Sequence, residues 1–109
     1  MIEDKDVQKA IDHLRFKAGD AAKAKATRIY CEEFRKSLKA DIMKRNLDLP
    51  VNAQEREAYS HPDYKKHLEA MRVAIEEDEL HRWKMIAAQA IIEAWRTEQS
   101  NKRAELKIG

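Results

Sequence analysis

Apolar side chains recur along the first part of the chain at helical spacings. The first row is separated by four, three and four residues and consists of Val7, Ile11, Leu14 and Ala18. Such spacing places these side chains on one face of a helix, predicted over residues 4–18. Gly19 and Asp20 follow, a pair typical of a helix end and of the N-cap of a new helix.

A second apolar row predicts a helix over residues 21–45. Its members are spaced strictly by four and are Tyr30, Phe34, Leu38 and Ile42. If the helix ran unbroken from residue 4, this row would lie nearly opposite the first, at about 100° per residue. Two interpretations therefore stay open, a break or bend near Gly19 and a continuous helix with two apolar faces.

Residues 46–64 contain the main turn signals. Asn52 followed by Glu55 has the form of a capping box and predicts a short helix over residues 53–59. Ser60 followed by Asp63, with Pro62 in the first turn, predicts the start of a last helix. No helix breaker follows, so this helix is predicted over residues 62–106.

The last helix carries two apolar faces that are rotated relative to each other, with the acidic run of residues 76–79 at the join. One antiparallel partner helix cannot cover the wide second face. The pattern therefore indicates that the 4–18 helix packs over it, that the chain self-associates, or both. The predicted oligomer interface consists of Leu80, Trp83, Ile86, Ala87, Ala90, Ile91, Ala94 and Trp95.

These elements predict an all-α fold. We expect a single domain over residues 1–109, a long antiparallel helical hairpin with a short helix in the connection and an N-terminal helix, completed as a bundle by self-association. Only 2 Gly and 2 Pro interrupt the chain, and 39% of residues are charged. No apolar run approaches ~18 residues, so no membrane span is expected. The single cysteine and the polar first residues favour the cytoplasm.

Charge is distributed unevenly. The net charge is +4 over residues 1–46, −5 over 47–81 and +3 over 82–109. In a hairpin the two basic portions would meet at one end, where phosphate groups could bind. The candidate nucleic-acid contacts are Arg35, Lys36, Lys39, Arg96, Lys102, Arg103 and Lys107. The alternative interpretation is a solvated helical face.

The acidic run permits three interpretations. In the first, Glu76 or Glu79 forms an ion pair with an arginine and helps to fix the register between helices. In the second, the run is an acidic patch that inhibits a host protein. In the third, the chain is a ferritin-like half-bundle that binds metal through an i,i+3 carboxylate–imidazole pair and two facing acids. The residues of that metal set are Glu32, Glu33, Asp78 and His81.

No catalytic pattern is visible. Cys31 and the histidines show no pairing of a nucleophile with a base, and the chain has no Gly-rich phosphate loop. We therefore expect neither an enzyme nor a bound cofactor.

Three stretches resemble a group of small helical proteins encoded by tailed phages and prophages. They read "RIYCEEFRKSLKADIM", "EREAYSHPDYKKHLEAM" and "IIEAWRTEQSNKRA", and the resemblance covers about residues 27–104. Such proteins are often encoded among genes for recombination and single-stranded DNA handling. The resemblance implies a non-enzymatic accessory role in DNA recombination or replication, with a protein or single-stranded DNA as partner, in the host cytoplasm. It implies no catalytic residue.

Overall fold

The computed structural model describes residues 1–108, and all their regular structure is α-helical. Helix α1 spans Asp4–Lys44, the short α2 spans Val51–Ser60 and α3 spans Pro62–Ile108. The predicted all-α fold with a short helix in the connection is thus confirmed. Within the described part of the chain, none of the helices has a segment apolar and long enough to cross a membrane.

These helices build two compact units. Unit 1 contains residues 1–22 and the last part of α3 from Glu79 onward, and unit 2 contains Lys23–Asp78. Helices α1 and α3 each contribute to both units.

Helix α1 continues through Gly19, so of the two interpretations the continuous helix is confirmed and the separate helices over 4–18 and 21–45 are wrong. Gly19 does not adopt the positive φ that a helix-ending glycine needs. A glycine inside a helix costs only about 1 kcal/mol relative to alanine, an amount that packing on either side can offset. Asp20 is not an N-cap but pairs with Lys17 at 3.8 Å, one turn away.

The two short-helix signals are also placed differently from the prediction. Helix α2 begins directly after the extended Pro50, two residues before the predicted start, and Asn52 lies inside it instead of capping it. Ser60 ends α2, where its hydroxyl donates to the Arg56 carbonyl at 2.8 Å. The start of α3 is instead capped by the His61 imidazole, whose Nδ1 accepts from the Asp63 amide at 3.0 Å.

Unit 2 contains a buried core cluster. Ile42, Ala58 and Tyr64 form a buried cluster, with Leu38 and Met43 packed against it. One residue from each of α1, α2 and α3 thus closes the turn region.

Farther along unit 2, α1 and α3 run antiparallel. The Nε2 atom of His67 is 2.6 Å from the Cys31 carbonyl oxygen, and the His67 ring contacts Phe34. Of the predicted apolar row, Leu38 and Ile42 are packed, whereas Tyr30 and Phe34 are 68% and 41% exposed.

Unit 1 is an antiparallel pair of helical segments. The Ile2 amide donates to both carboxylate oxygens of Glu98, at 3.1 and 3.2 Å. Val7 and Ala10 of α1 and Ala88 of α3 are the buried residues of this pair.

Helix α3 presents an inward face in each unit. Its buried or half-buried positions include Tyr64, His67, Met71, Ala74 and Asp78 in unit 2 and His81, Met85, Ala88, Ile92, Trp95 and Gln99 in unit 1. Within each set the positions alternate by three and four residues, the spacing of a coiled-coil seam. The second apolar face predicted for α3 is wrong as an inward face in unit 1, because Ala88 is buried there whereas Leu80 and Trp83 point outward.

Replacing Gly19 with alanine tests the continuity of α1. The position offers open space for a methyl group. Gly19→Ala should therefore raise the free energy of unfolding by about 0.4–1 kcal/mol, measured by urea denaturation. Ala18→Gly, at a neighbouring exposed position, should lower it by a similar amount. A loss of stability in Gly19→Ala would contradict an unbroken helix.

Truncating Ile42 tests the core of unit 2. Ile42 is fully buried, so Ile42→Ala should lower the free energy of unfolding by about 2–4 kcal/mol. Ile29→Ala, on the same helix but 48% exposed, is the matched control and should cost less than about 1 kcal/mol. Equal losses in the two variants would be inconsistent with this core.

Candidate interaction surfaces

An apolar strip lies on the side of α3 opposite its inward face. We call it the outer stripe, and its residues are Leu80, Trp83, Ile86, Ala87, Ala90 and Ala94. Trp83 is 59% exposed, Leu80 49% and Ile86 37%. In a solvated two-helix pair this side of the helix is normally polar. The N-terminal segment of α1 packs on the inward face and leaves the outer stripe uncovered.

Two ion pairs border one flank of the outer stripe. Arg82 lies 3.3 Å from Glu79, and Arg96 lies 3.0 Å from Glu93, each one turn along the helix. The Arg82 guanidinium also lies over the Trp83 ring, 5.1 Å from its centroid. An apolar strip with a charged rim has the composition of a protein-binding surface.

Two residues of the predicted interface lie elsewhere. Trp95 is half-buried on the inward face, where its Nε1 donates to the Asp4 carboxylate at 3.4 Å. Ile91 is half-buried and lines an open groove of ≈580 Å³ with His13 of α1, whereas Ala87 borders the same groove but is itself exposed. We therefore exclude Trp95 and Ile91 from the outer stripe.

The acidic run resolves into residues with different partners. Glu76 pairs with Arg72 at 3.2 Å and Glu79 with Arg82, two of the ion pairs that the sequence suggested. Arg72 also donates to Glu69, and this hydrogen bond holds the pKa of the Glu69 carboxyl below its usual range. These are pairs within one helix, so they cannot set the register between helices.

Asp78 of the acidic run connects α1 and α3. Its Oδ2 accepts from Nη1 of Arg28 on α1 at 3.2 Å, and its side chain is only 14% exposed. Arg28 Nε also donates to Glu32 at 3.0 Å. The sequence pattern points to Glu76 and Glu79 for this task, and it misses Asp78 because an acid on the seam resembles its exposed neighbours.

The candidate metal ligands already serve as ion-pair partners. Glu32 and Asp78 both bind the Arg28 guanidinium, and Glu33 pairs with Lys36 at 3.3 Å. Across residues 1–108, no group of three or more His, Cys, Asp or Glu side chains is placed to hold a metal ion. The ferritin-like alternative, which also needs His81, gains no support from this geometry.

Three of the predicted nucleic-acid contacts lie together in unit 2. Arg35, Lys36 and Lys39 line an open pocket of ≈340 Å³ with Tyr59 and Tyr64. The sequence indicates the three cations but not the two tyrosines, which α2 and the start of α3 place beside the cations.

Lys39 is the cation most engaged within this pocket. Its Nζ lies 4.7 Å from the centroid of the Tyr59 ring and 3.6 Å from the Glu55 carboxylate. Tyr59 first, and then Glu55, raise the pKa of the Lys39 ammonium above its ordinary value. Arg35 is exposed and has no ion-pair partner among residues 1–108, so its charge is available to a ligand.

The other predicted contacts lie in unit 1. Arg96 pairs with Glu93, and Lys102 Nζ lies 3.8 Å from the Met1 sulfur. Arg103 and Lys107 are exposed near the end of α3. Together these side chains form an exposed basic surface.

Comparison with protein-family models, with curated proteins and with solved structures finds no match for this chain.

The Asp78–Arg28 pair can be tested against a pair within one helix. Asp78→Asn leaves a half-buried guanidinium with less compensation and should lower the free energy of unfolding by about 1–3 kcal/mol. Glu76→Gln, which weakens an exposed pair, should cost less than about 0.5 kcal/mol. Urea denaturation measures both, and equal costs would argue against a structural task for Asp78.

Proposed function

We propose that the chain is a non-enzymatic helical accessory protein that acts by binding a protein partner through the outer stripe. The observation that carries the proposal is the exposure of Trp83 and Leu80, at 59% and 49%, on the same side of one helix. Burying one such side chain contributes roughly 1.5–3 kcal/mol, so a partner that covers the stripe gains considerably.

The accessible surface of the chain supports the same proposal. It amounts to 8302 Å², whereas a monomeric protein of 12.8 kDa typically exposes about 6,300 Å². A chain that leaves this much surface in water, with a tryptophan in it, is suited to act in a complex.

The setting that we propose is DNA recombination or replication of a phage, in the host cytoplasm. The support is the sequence resemblance over about residues 27–104, together with the basic composition of both ends of the chain. An accessory protein of this kind needs binding surfaces and no catalytic site.

Site-specific photo-crosslinking tests whether the outer stripe binds protein. A benzophenone amino acid at position 83 should form a covalent adduct with a protein in cells that produce the chain. The same amino acid at position 106 is the control, since Leu106 is 81% exposed on α3 but lies beyond the stripe. An adduct with another copy of the chain and one with a different protein both support protein binding. The absence of adducts specific to position 83 would contradict it.

A second candidate function is single-stranded DNA binding by the pocket of unit 2. Arg35 is available there for a phosphate, and the half-exposed Tyr59 ring offers a face on which a base can stack. This combination of cation and aromatic ring favours single strands, because duplex bases are already stacked on one another.

Fluorescence anisotropy with a labelled oligonucleotide tests this second function. Binding should be strongest near ~50 mM salt, and Arg35→Gln should weaken it several-fold and reduce the salt slope by about one phosphate contact. Arg45→Gln, an exposed arginine outside the pocket, should leave it within about twofold. No binding at low salt would remove the DNA function and leave the protein-binding function standing.

A further inference from the structure

We propose that the partner of the outer stripe is a second copy of the same chain, with its α3 packed antiparallel across a two-fold axis near Ala87. This inference rests on the proposed function of the stripe as a protein-binding surface. It adds the identity of the partner, the direction of the helices and the register.

Side-chain size along the stripe fits an antiparallel pair. The large residues Leu80 and Trp83 lie at one end, and the small residues Ala90 and Ala94 lie at the other. With the two-fold axis near Ala87, the numbers of facing residues sum to about 174, so Leu80 of one copy meets Ala94 of the second and Trp83 lies within one position of Ala90. Large side chains thus face small ones at both ends, which permits close packing of two helices.

Charge on the bordering flank fits the same register. Its charged residues alternate in sign in the order Glu79, Arg82, Glu93 and Arg96. When two helices pack antiparallel, equivalent flanks face each other. Arg82 then lies opposite Glu93 of the second copy, and Glu79 lies opposite Arg96. The ion pairs within each helix become a network across the interface, a device that selects orientation.

A parallel pair fits poorly on the same two criteria. In register, it would place Trp83 against Trp83 and Ala90 against Ala90, so that one end is overpacked and the other leaves a gap. It would also bring the alternating flank against the opposite flank, which contains Lys84 and the apolar Ile91 and offers no matching series of charges.

Sedimentation equilibrium of the full chain measures the assembly directly. The wild type should be a dimer at about 100 µM, because this concentration lies far above a micromolar dissociation constant and the dimer is then the main species. Trp83→Glu should weaken dimerisation by at least about 100-fold, because each interface loses two tryptophans and gains two buried charges. Leu106→Glu is the matched control and should leave the dimer intact. Circular dichroism establishes that each variant keeps its helices.

Charge reversal tests the register without removing an apolar side chain. Arg82→Glu creates two like-charge contacts per dimer and should weaken dimerisation by about 10-fold. Adding Glu93→Arg to the same chain should restore it, since both contacts then pair opposite charges again. A double variant no tighter than Arg82→Glu alone would overturn this register.

Disulfide formation tests the direction of the helices in a Cys31→Ser background. A mixture of Leu80→Cys and Ala94→Cys chains should form a mixed disulfide under mild oxidation, because these positions meet across an antiparallel interface. Each variant alone should remain largely uncrosslinked. Crosslinks within each separate population, with none enriched in the mixture, would indicate a parallel pair and overturn the proposal.

The outcomes distinguish failure of self-association from failure of protein binding by the outer stripe. A wild type that remains monomeric at about 100 µM overturns self-association. If position 83 nevertheless crosslinks to a different protein, the protein-binding function stands with another partner. A dimer that Trp83→Glu leaves unchanged also overturns the inference, because another surface must then hold the copies together.

Discussion

The alternation of three and four residues along the inward face of α3 is the constraint on which the other features depend. It includes Met71 and Ala74 in unit 2 and Met85 and Ala88 in unit 1. Buried positions of α1 have the same spacing, as Val7 and Ala10 illustrate. Because this face packs against α1, the opposite side of α3 faces outward, and Trp83 lies on that side.

The composition of the seam explains why packing against α1 alone buries so little apolar surface. The seam includes Ala74, Ala88 and the Asp78–Arg28 pair, and the largest fully buried side chain among the described residues is Ile42 near the turn. An ion pair in such a seam contributes more to register than to net stability, because desolvation offsets much of the attraction. The large apolar residues Leu80 and Trp83 of α3 therefore remain exposed and available to a partner. The small apolar area buried in the seam is thus consistent with the function that we propose for the outer stripe.

The sequence predicts the helical class and the approximate ends of the helices, because helix formers dominate and breakers concentrate in residues 46–62. It leaves the continuity of α1 open, because the pair Gly19 and Asp20 is compatible both with a helix end and with a helix interior. It also misassigns the inward face of α3, because hydrophobicity favours Leu80 and Trp83 over Ala88 and Asp78. The exposed stripe emerges from the predicted interface once Ile91 and Trp95 are removed, and the tyrosines beside Arg35 come together only through the fold. Helix periodicity identifies an apolar face but not which element covers it.

The two tryptophans provide the most direct test of the opposite faces of α3. Trp95→Phe and Trp83→Phe leave one indole each, and acrylamide quenching of a dilute sample reports its access to solvent. Our account predicts strong quenching and red-shifted emission for Trp83, which is 59% exposed, and weaker quenching for the half-buried Trp95. As the concentration rises, Trp83 should become protected and Trp95 should change little. A Trp83 that is shielded at high dilution, where the chain is monomeric, would contradict the outward orientation of the stripe.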